Sequence, residues 1–153
     1  MVDIQAVSIA VASASVTLAA IYYMWQIRHQ TKLRQTDLIM RLYGTFTSNE
    51  YQDAWTKVRL DNTHDFDKET WIWKEFNQVT TFWEGVGILF KRKVLDIKMI
   101  EDLFGGNIVR TWENVKPGVI KMRQQLNDPV VFSDFEHLCN EWKKREQKLQ
   151  SKA

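Results

Sequence analysis

The chain is poor in the residues that would build a covalent or low-complexity scaffold. It has one cysteine, Cys139, among 153 residues. A lone thiol cannot close an internal disulfide, so packing must hold the fold, and nothing points to an oxidising compartment. Two prolines and six glycines are too few for a Pro/Gly-rich linker or a disordered chain. Charge of one sign is also lacking, with 21 Lys and Arg against 19 Asp and Glu. A dedicated nucleic-acid binder would carry a strong basic excess. No Asn-x-Ser/Thr acceptor occurs, in keeping with a domain that stays inside the cell.

One long uncharged run stands out. From Ile4 to Ile27 there are 24 residues without a charge, bounded by Asp3 and Arg28. As a helix they span roughly 36 Å, enough for a hydrocarbon core of about 30 Å. Tyr22, Tyr23 and Trp25 close the run, and such amphipathic rings prefer the membrane–water boundary. Arg28, Lys32 and Arg34 follow, so the positive-inside tendency puts the C-terminal side in the cytoplasm and the N-terminus outside. A cleaved signal peptide would carry its positive charge before the apolar run. Ser8, Ser13, Ser15 and Thr17 make the run only moderately apolar, which leaves a buried helix of a soluble protein as the rival. Ala6, Ala10 and Ala14 recur every four residues, a spacing that lets helices approach closely in lipid.

Beyond the run the apolar period is helical throughout. Ser48 is placed to cap a helix carrying Tyr51, Ala54, Trp55 and Val58. Asp61 to Asp67 reads as an acidic loop. A long helix is expected from Lys68 to about Phe90, with Ile72, Phe76, Val79, Trp83, Val86 and Phe90 alternately four and three apart. Gly85 and Gly87 inside it suggest a neighbour passing close. Asp96 can cap a short helix that Gly105-Gly106 stops, and Asn107 can cap the next. Pro117-Gly118 should kink or split that one. Asn127-Asp128-Pro129 is a turn, and a last helix carries Val131 to Leu149 before a basic end. The expected class is all-α: an N-terminal transmembrane helix continuing into a small antiparallel helical bundle. The divisions expected are 1–3 outside, 4–27 in the membrane, 28–142 as the cytoplasmic bundle and 143–153 as a basic tail.

The order of Phe46-Thr47-Ser48-Asn49-Glu50, Phe82-Trp83-Glu84-Gly85-Val86-Gly87, Val94-Leu95-Asp96, Leu103-Phe104-Gly105, Trp112-Glu113, Asn127-Asp128-Pro129 and Phe135-Glu136-His137-Leu138 resembles a family. It is a family of small membrane-anchored bacterial and archaeal proteins, domain of unknown function 4760. The resemblance covers nearly the whole chain. It implies a helical fold and a membrane location, and supplies no activity.

The residues that carry chemistry are sparse. His29, His64 and His137 form no His-Glu-x-x-His or Glu-x-x-His set, and no Cys-x-x-Cys occurs. His137 and Cys139, two apart on a helix, point to different sides. There is no Gly-x-Ser-x-Gly and no Gly-Lys-Ser/Thr loop. Glu84, beside Trp83 in the most apolar helix, is either part of a site or an ion-pair partner of Arg110 or Arg123, the plainer reading. The basic end, Lys143 to Arg145 with Lys148 and Lys152, reads as a solvated helix end or a contact with anionic lipid. No catalytic residue, metal or cofactor is expected.

The expected function is a single-pass, membrane-tethered interaction or scaffold module at the cytoplasmic membrane. Its expected partners are the bilayer and either a second copy or another membrane protein. Some of the seven tryptophans and eight phenylalanines should form an exposed aromatic patch. The alternatives are an accessory subunit of a larger membrane complex and a sensor with a pocket among Trp83, Glu84 and Trp112.

Overall fold

A computed structural model describes residues 4–61 and 72–151. These form six helices: α1 Ile4–Phe46, α2 Asn49–Leu60, α3 Trp73–Lys91, α4 Ile97–Phe104, α5 Asn107–Leu126 and α6 Ser133–Gln150. The chain divides into two units, one ending at Leu38 and the other beginning at Ile39. Most of the expected acidic loop, and Lys68 to Trp71, lie outside the described residues.

The first unit is helical and its apolar side chains face outward. Val11 is 62 % exposed, Val16 70 % and Leu18 68 %. Three of its hydroxyls are satisfied by the helix itself. Ser13 donates to the Ile9 carbonyl, Ser15 to that of Val11 at 2.8 Å and Thr17 to that of Ser13 at 2.9 Å. Back-bonding to the carbonyl four residues earlier hides a hydroxyl from an apolar surrounding. Ser13, Ser15 and Thr17 therefore do not disqualify this segment from a hydrocarbon environment.

The second unit has a core of its own. Ser48 caps α2 by accepting from Tyr51 N at 3.2 Å. Asp96 caps α4 by accepting from Lys98 N at 2.7 Å, and Gly105 ends α4 with φ +51, a conformation glycine adopts without penalty. Asn107 departs from the expectation. It is the first residue of α5, and its amide donates to the Phe104 carbonyl at 2.9 Å, closing the end of α4 instead of capping α5. Pro117 does not split α5, which runs unbroken from Asn107 to Leu126. The missing amide falls on the exposed side of the helix, where water can satisfy the carbonyl left free. Residues 143–150 belong to α6 and not to a separate tail. The expected seam is the buried face, since Phe76, Val79, Trp83 and Val86 are each 1 % exposed or less.

The helices pack as antiparallel pairs joined by a crossing. Lys57 of α2 meets Glu75 of α3 at 2.7 Å, and the Tyr51 and Phe82 rings meet at 4.9 Å, so α2 and α3 are antiparallel. Glu113–Lys143 and Arg123–Glu136 at 2.9 Å make α5 and α6 antiparallel. By contrast α3 and α6 run the same way, with Phe76 against Phe132 at 6.5 Å and Phe90 against His137 at 6.0 Å.

The expected aromatic patch on the bundle is instead mostly its interior. Phe46, Phe82, Trp83 and Phe104 form a ring cluster with centroids 5.2 to 6.1 Å apart. Trp83, Trp112 and Trp142 are buried, whereas Trp73 is 47 % exposed. Burying a large ring contributes more than leaving it in water, so a core built from few long helices draws its aromatics inward.

The two helical glycines of α3 differ in what they face. A Cβ at Gly87 would lie 2.3 Å from the Asp134 carbonyl oxygen and 2.9 Å from Phe135 N, whereas a Cβ at Gly85 would meet nothing within 4 Å. The close neighbour expected from the sequence is therefore α6, at Gly87 alone. Gly87→Ala is expected to destabilise the bundle by about 1–3 kcal/mol through overpacking against backbone. Gly85→Ala should be neutral or stabilising by up to about 1 kcal/mol. Chemical denaturation of the two variants, followed by circular dichroism, checks the difference, and equal effects would contradict this packing.

Candidate functional site

The most organised polar geometry lies where α3 meets the start of α6. The first turn of a helix leaves its amides without intrahelical partners. Here the residue before α6, Phe132, sits in the left-handed region (φ 54) and its side chain supplies no cap. Glu84 of α3 supplies it from 51 residues away. Its carboxylate accepts from Phe135 N at 2.7 Å and from Asp134 N at 3.3 Å. A carboxylate at this end also complements the positive pole of the helix.

Two further contacts pin the same turn. Lys91, two helical turns on from Glu84, pairs with Asp134 at 2.5 Å. Arg123 of α5 donates from Nε to the Val131 carbonyl at 2.8 Å and from Nη1 to Glu136 at 2.9 Å. Glu84, Gly87 and Lys91 thus lie on one stripe of α3, three and four residues apart. Arg123 is the partner of Glu136, and Arg110 is exposed, so the expected ion pair of Glu84 with either arginine gives way to helix capping. With its oxygens committed to backbone donors, Glu84 is a structural clamp.

The three residues expected to line a pocket do come together, around Phe135. Trp83 stacks on that ring at 5.7 Å and 14°, and Trp112 meets it edge-on at 5.0 Å. Trp83 is 0 % and Trp112 3 % exposed. The Phe135 ring occupies the space between them, so the arrangement is packed core where a ligand cavity was expected. Nearby, burial pushes the Tyr51 phenol well above its ordinary range, and the Trp83 indole partly offsets that. The two groups are neighbours, yet neither Tyr51 Oη nor Trp83 Nε1 reaches hydrogen-bonding geometry.

Cys139 is buried, and burial pushes its thiol up to about 11. His137 is exposed on another side of α6. A neutral, enclosed thiol is a poor nucleophile and a poor metal ligand.

The residues expected at a membrane boundary are all on α1 and all exposed. Tyr22 is 59 %, Tyr23 63 % and Trp25 64 % exposed, with Arg28, Lys32 and Arg34 following. Within Val7–Phe46 an 18-residue stretch has a mean hydropathy of 1.7, and none of it is buried. The helix is long and apolar enough to cross a membrane. Ala14 is exposed, and the side chains of Ala6 and Ala10 lie outside the described residues.

The sequence profile of a domain of unknown function, DUF4760, matches residues 9–142. The chain belongs to the DUF4760 family. No curated protein and no solved structure matches it significantly. In this DUF4760 chain the matched span includes both the exposed helix and the clamp at Glu84.

The capping role of Glu84 left one trace in the sequence. Ser133, Asp134 and Glu136 crowd the start of α6 as capping residues do, but Glu136 is diverted to Arg123, and only the fold reveals the replacement. Glu84→Ala is expected to cost about 1–2 kcal/mol, as for loss of a helix cap. The Asp134 and Phe135 amides should then exchange with deuterium faster than those of α2. Unchanged exchange at these two amides would contradict the clamp. In the folded chain at about pH 8, Cys139 should hold roughly a hundredfold less thiolate than an unburied thiol. Labelling with an aromatic disulfide should accordingly require denaturant.

Proposed function

We propose that this DUF4760 chain is a single-pass membrane-tethered interaction module, with α1 in the cytoplasmic membrane and the α2–α6 bundle on the cytoplasmic side. The observation that carries this reading is the outward apolar surface of α1. Val11, Val16, Leu18 and Ile21 are all more than half exposed. In water that surface would drive aggregation, and in hydrocarbon it carries no such cost. The back-bonded hydroxyls of Ser13, Ser15 and Thr17 lower the cost of placing it there. The orientation follows from Arg28, Lys32 and Arg34 on the C-terminal side.

The interaction role is supported by the corner between α5 and α6. Ile120 is 43 %, Leu126 62 % and Val130 64 % exposed, beside a shallow depression lined by Ile120, Arg123, Gln124, Asn127, Asp128 and Pro129. Apolar side chains rimmed by polar ones are what a protein partner covers. The charged groups where α3 meets α6, Glu84, Lys91 and Arg123, are engaged in structure, which favours a binding role over catalysis.

The test is mass determination of the full-length chain extracted from membranes, with any co-purifying protein identified. A chain held in the membrane fraction through alkaline extraction is expected, as a homo-oligomer or with a stoichiometric membrane partner. Leu126→Glu with Val130→Glu should disperse that assembly and leave the helical content unchanged. Recovery in the soluble fraction would sink the tether. Persistence of the assembly in the double variant would remove the corner as its interface. A chain that aggregates unless co-expressed with its partner would point to an accessory subunit.

A further inference from the structure

We propose that the face of α1 formed by Trp25, Arg28, His29 and Lys32 holds the phosphate of an anionic phospholipid. The inference rests on the membrane reading above and adds a ligand to it. Trp25, Arg28 and Lys32 are spaced three and four apart, so they share one side of the helix. With His29, Thr31 and Gln35 they line one continuous depression. The Trp25 and His29 rings are stacked, with centroids 5.7 Å apart and planes at 7°. That stack stiffens one wall of the face, leaving Arg28 and Lys32 to reach beyond it.

Charge selects the ligand. From Ile4 to Thr36 the sequence contains no Asp or Glu. Arg28 and Lys32 are exposed and have no carboxylate partner among the described residues. On the bundle, Lys57, Lys91, Arg123, Lys143, Lys144 and Arg145 each pair with a carboxylate, whereas the 4–36 stretch offers Arg28 and Lys32 none. Among the described residues these two cations are left available to an anion from outside.

Position narrows it further. Arg28 lies roughly 4.5 Å and Lys32 roughly 10 Å along the helix beyond Trp25. A headgroup layer is roughly 5–8 Å deep on each side of the hydrocarbon. With Trp25 at the boundary, the guanidinium of Arg28 lies at phosphate depth and Lys32 reaches back to the same level. An arginine fork suits a phosphate bidentately. A free phosphate ion would gain nothing from the neighbouring apolar helix, whereas a phospholipid covers that helix with its chains.

The experiment titrates the full-length chain in neutral detergent with phosphatidylglycerol or phosphatidylcholine and counts retained lipids by native mass spectrometry. The expected result is preferential retention of phosphatidylglycerol. Retention should fall about fivefold per removed cation in Arg28→Gln and Lys32→Gln, and be unchanged in Lys98→Gln/Lys148→Gln. Equal retention of both lipids, or an unaffected Arg28→Gln/Lys32→Gln double variant, would overturn the proposal. So would complete displacement of the lipid by millimolar inorganic phosphate, which would mark a site for the free ion. Failure of the chain to enter membranes at all would overturn the tether itself and is read separately, by alkaline extraction.

Discussion

An unsatisfied amide in a buried helix start costs more than a hydrogen bond returns when it is made. The first turn of α6 meets that constraint without a cap of its own, because Phe132 can offer none. Glu84 meets it from α3, and much of the bundle follows from that contact. To bring the carboxylate within reach, α3 and α6 must nearly touch, which demands a residue without a side chain one turn later. Gly87 is that residue. The close approach in turn stacks Trp83 on Phe135 and lets Trp112 close on the other side of the same ring. The polar clamp and the aromatic centre of the core are two consequences of one crossing.

That crossing also explains why α3 and α6 run in the same sense. A parallel pair needs a long return in the chain, and α4 with α5 provides it. Arg123, on the returning helix, fastens the connection by holding the Val131 carbonyl and Glu136. The start of α6 is thus gripped by a carboxylate from α3, an ammonium from α3 and a guanidinium from α5. Such a turn is ordered by contacts far apart in sequence and should be among the last parts of the bundle to open.

Much of this was legible from the order of residues and some was not. The apolar periods located α2, α5 and α6, because the seams at Tyr51–Val58, Ile108–Met122 and Phe135–Trp142 repeat at the helical interval. Ser48, Asp96 and Gly105 announced their ends by local chemistry that needs no knowledge of the fold. Asn107 misled because its amide has a carbonyl within reach on the preceding helix, a fact set by how α4 and α5 join. Pro117 does not split α5, because the cost of a proline depends on which side of the helix loses its amide. Glu84 could be recognised as unusual, but its partner is a backbone, and backbone amides leave no signature in a sequence. Trp83 and Trp112 both meet the Phe135 ring, and only its position distinguishes a filled centre from a pocket.

The distribution of charge partners gives the last step. On the bundle, cations and carboxylates are interleaved, and Lys91, Arg123, Lys144 and Arg145 each find an acidic group within 3 Å. On the stretch of α1 from Ile4 to Thr36 acidic residues are missing altogether. A chain with nearly equal numbers of both signs could have placed a carboxylate beside Arg28 or Lys32 at a gain of a few tenths of a kcal/mol. Pairing within the helix would neutralise the cations and weaken any attraction to an anionic surface. An unpaired cation next to an apolar, outward-facing helix is a poor arrangement in water and a favourable one at a lipid headgroup. The absence of acid on this stretch therefore leaves its cations free to set the chemistry of what they meet.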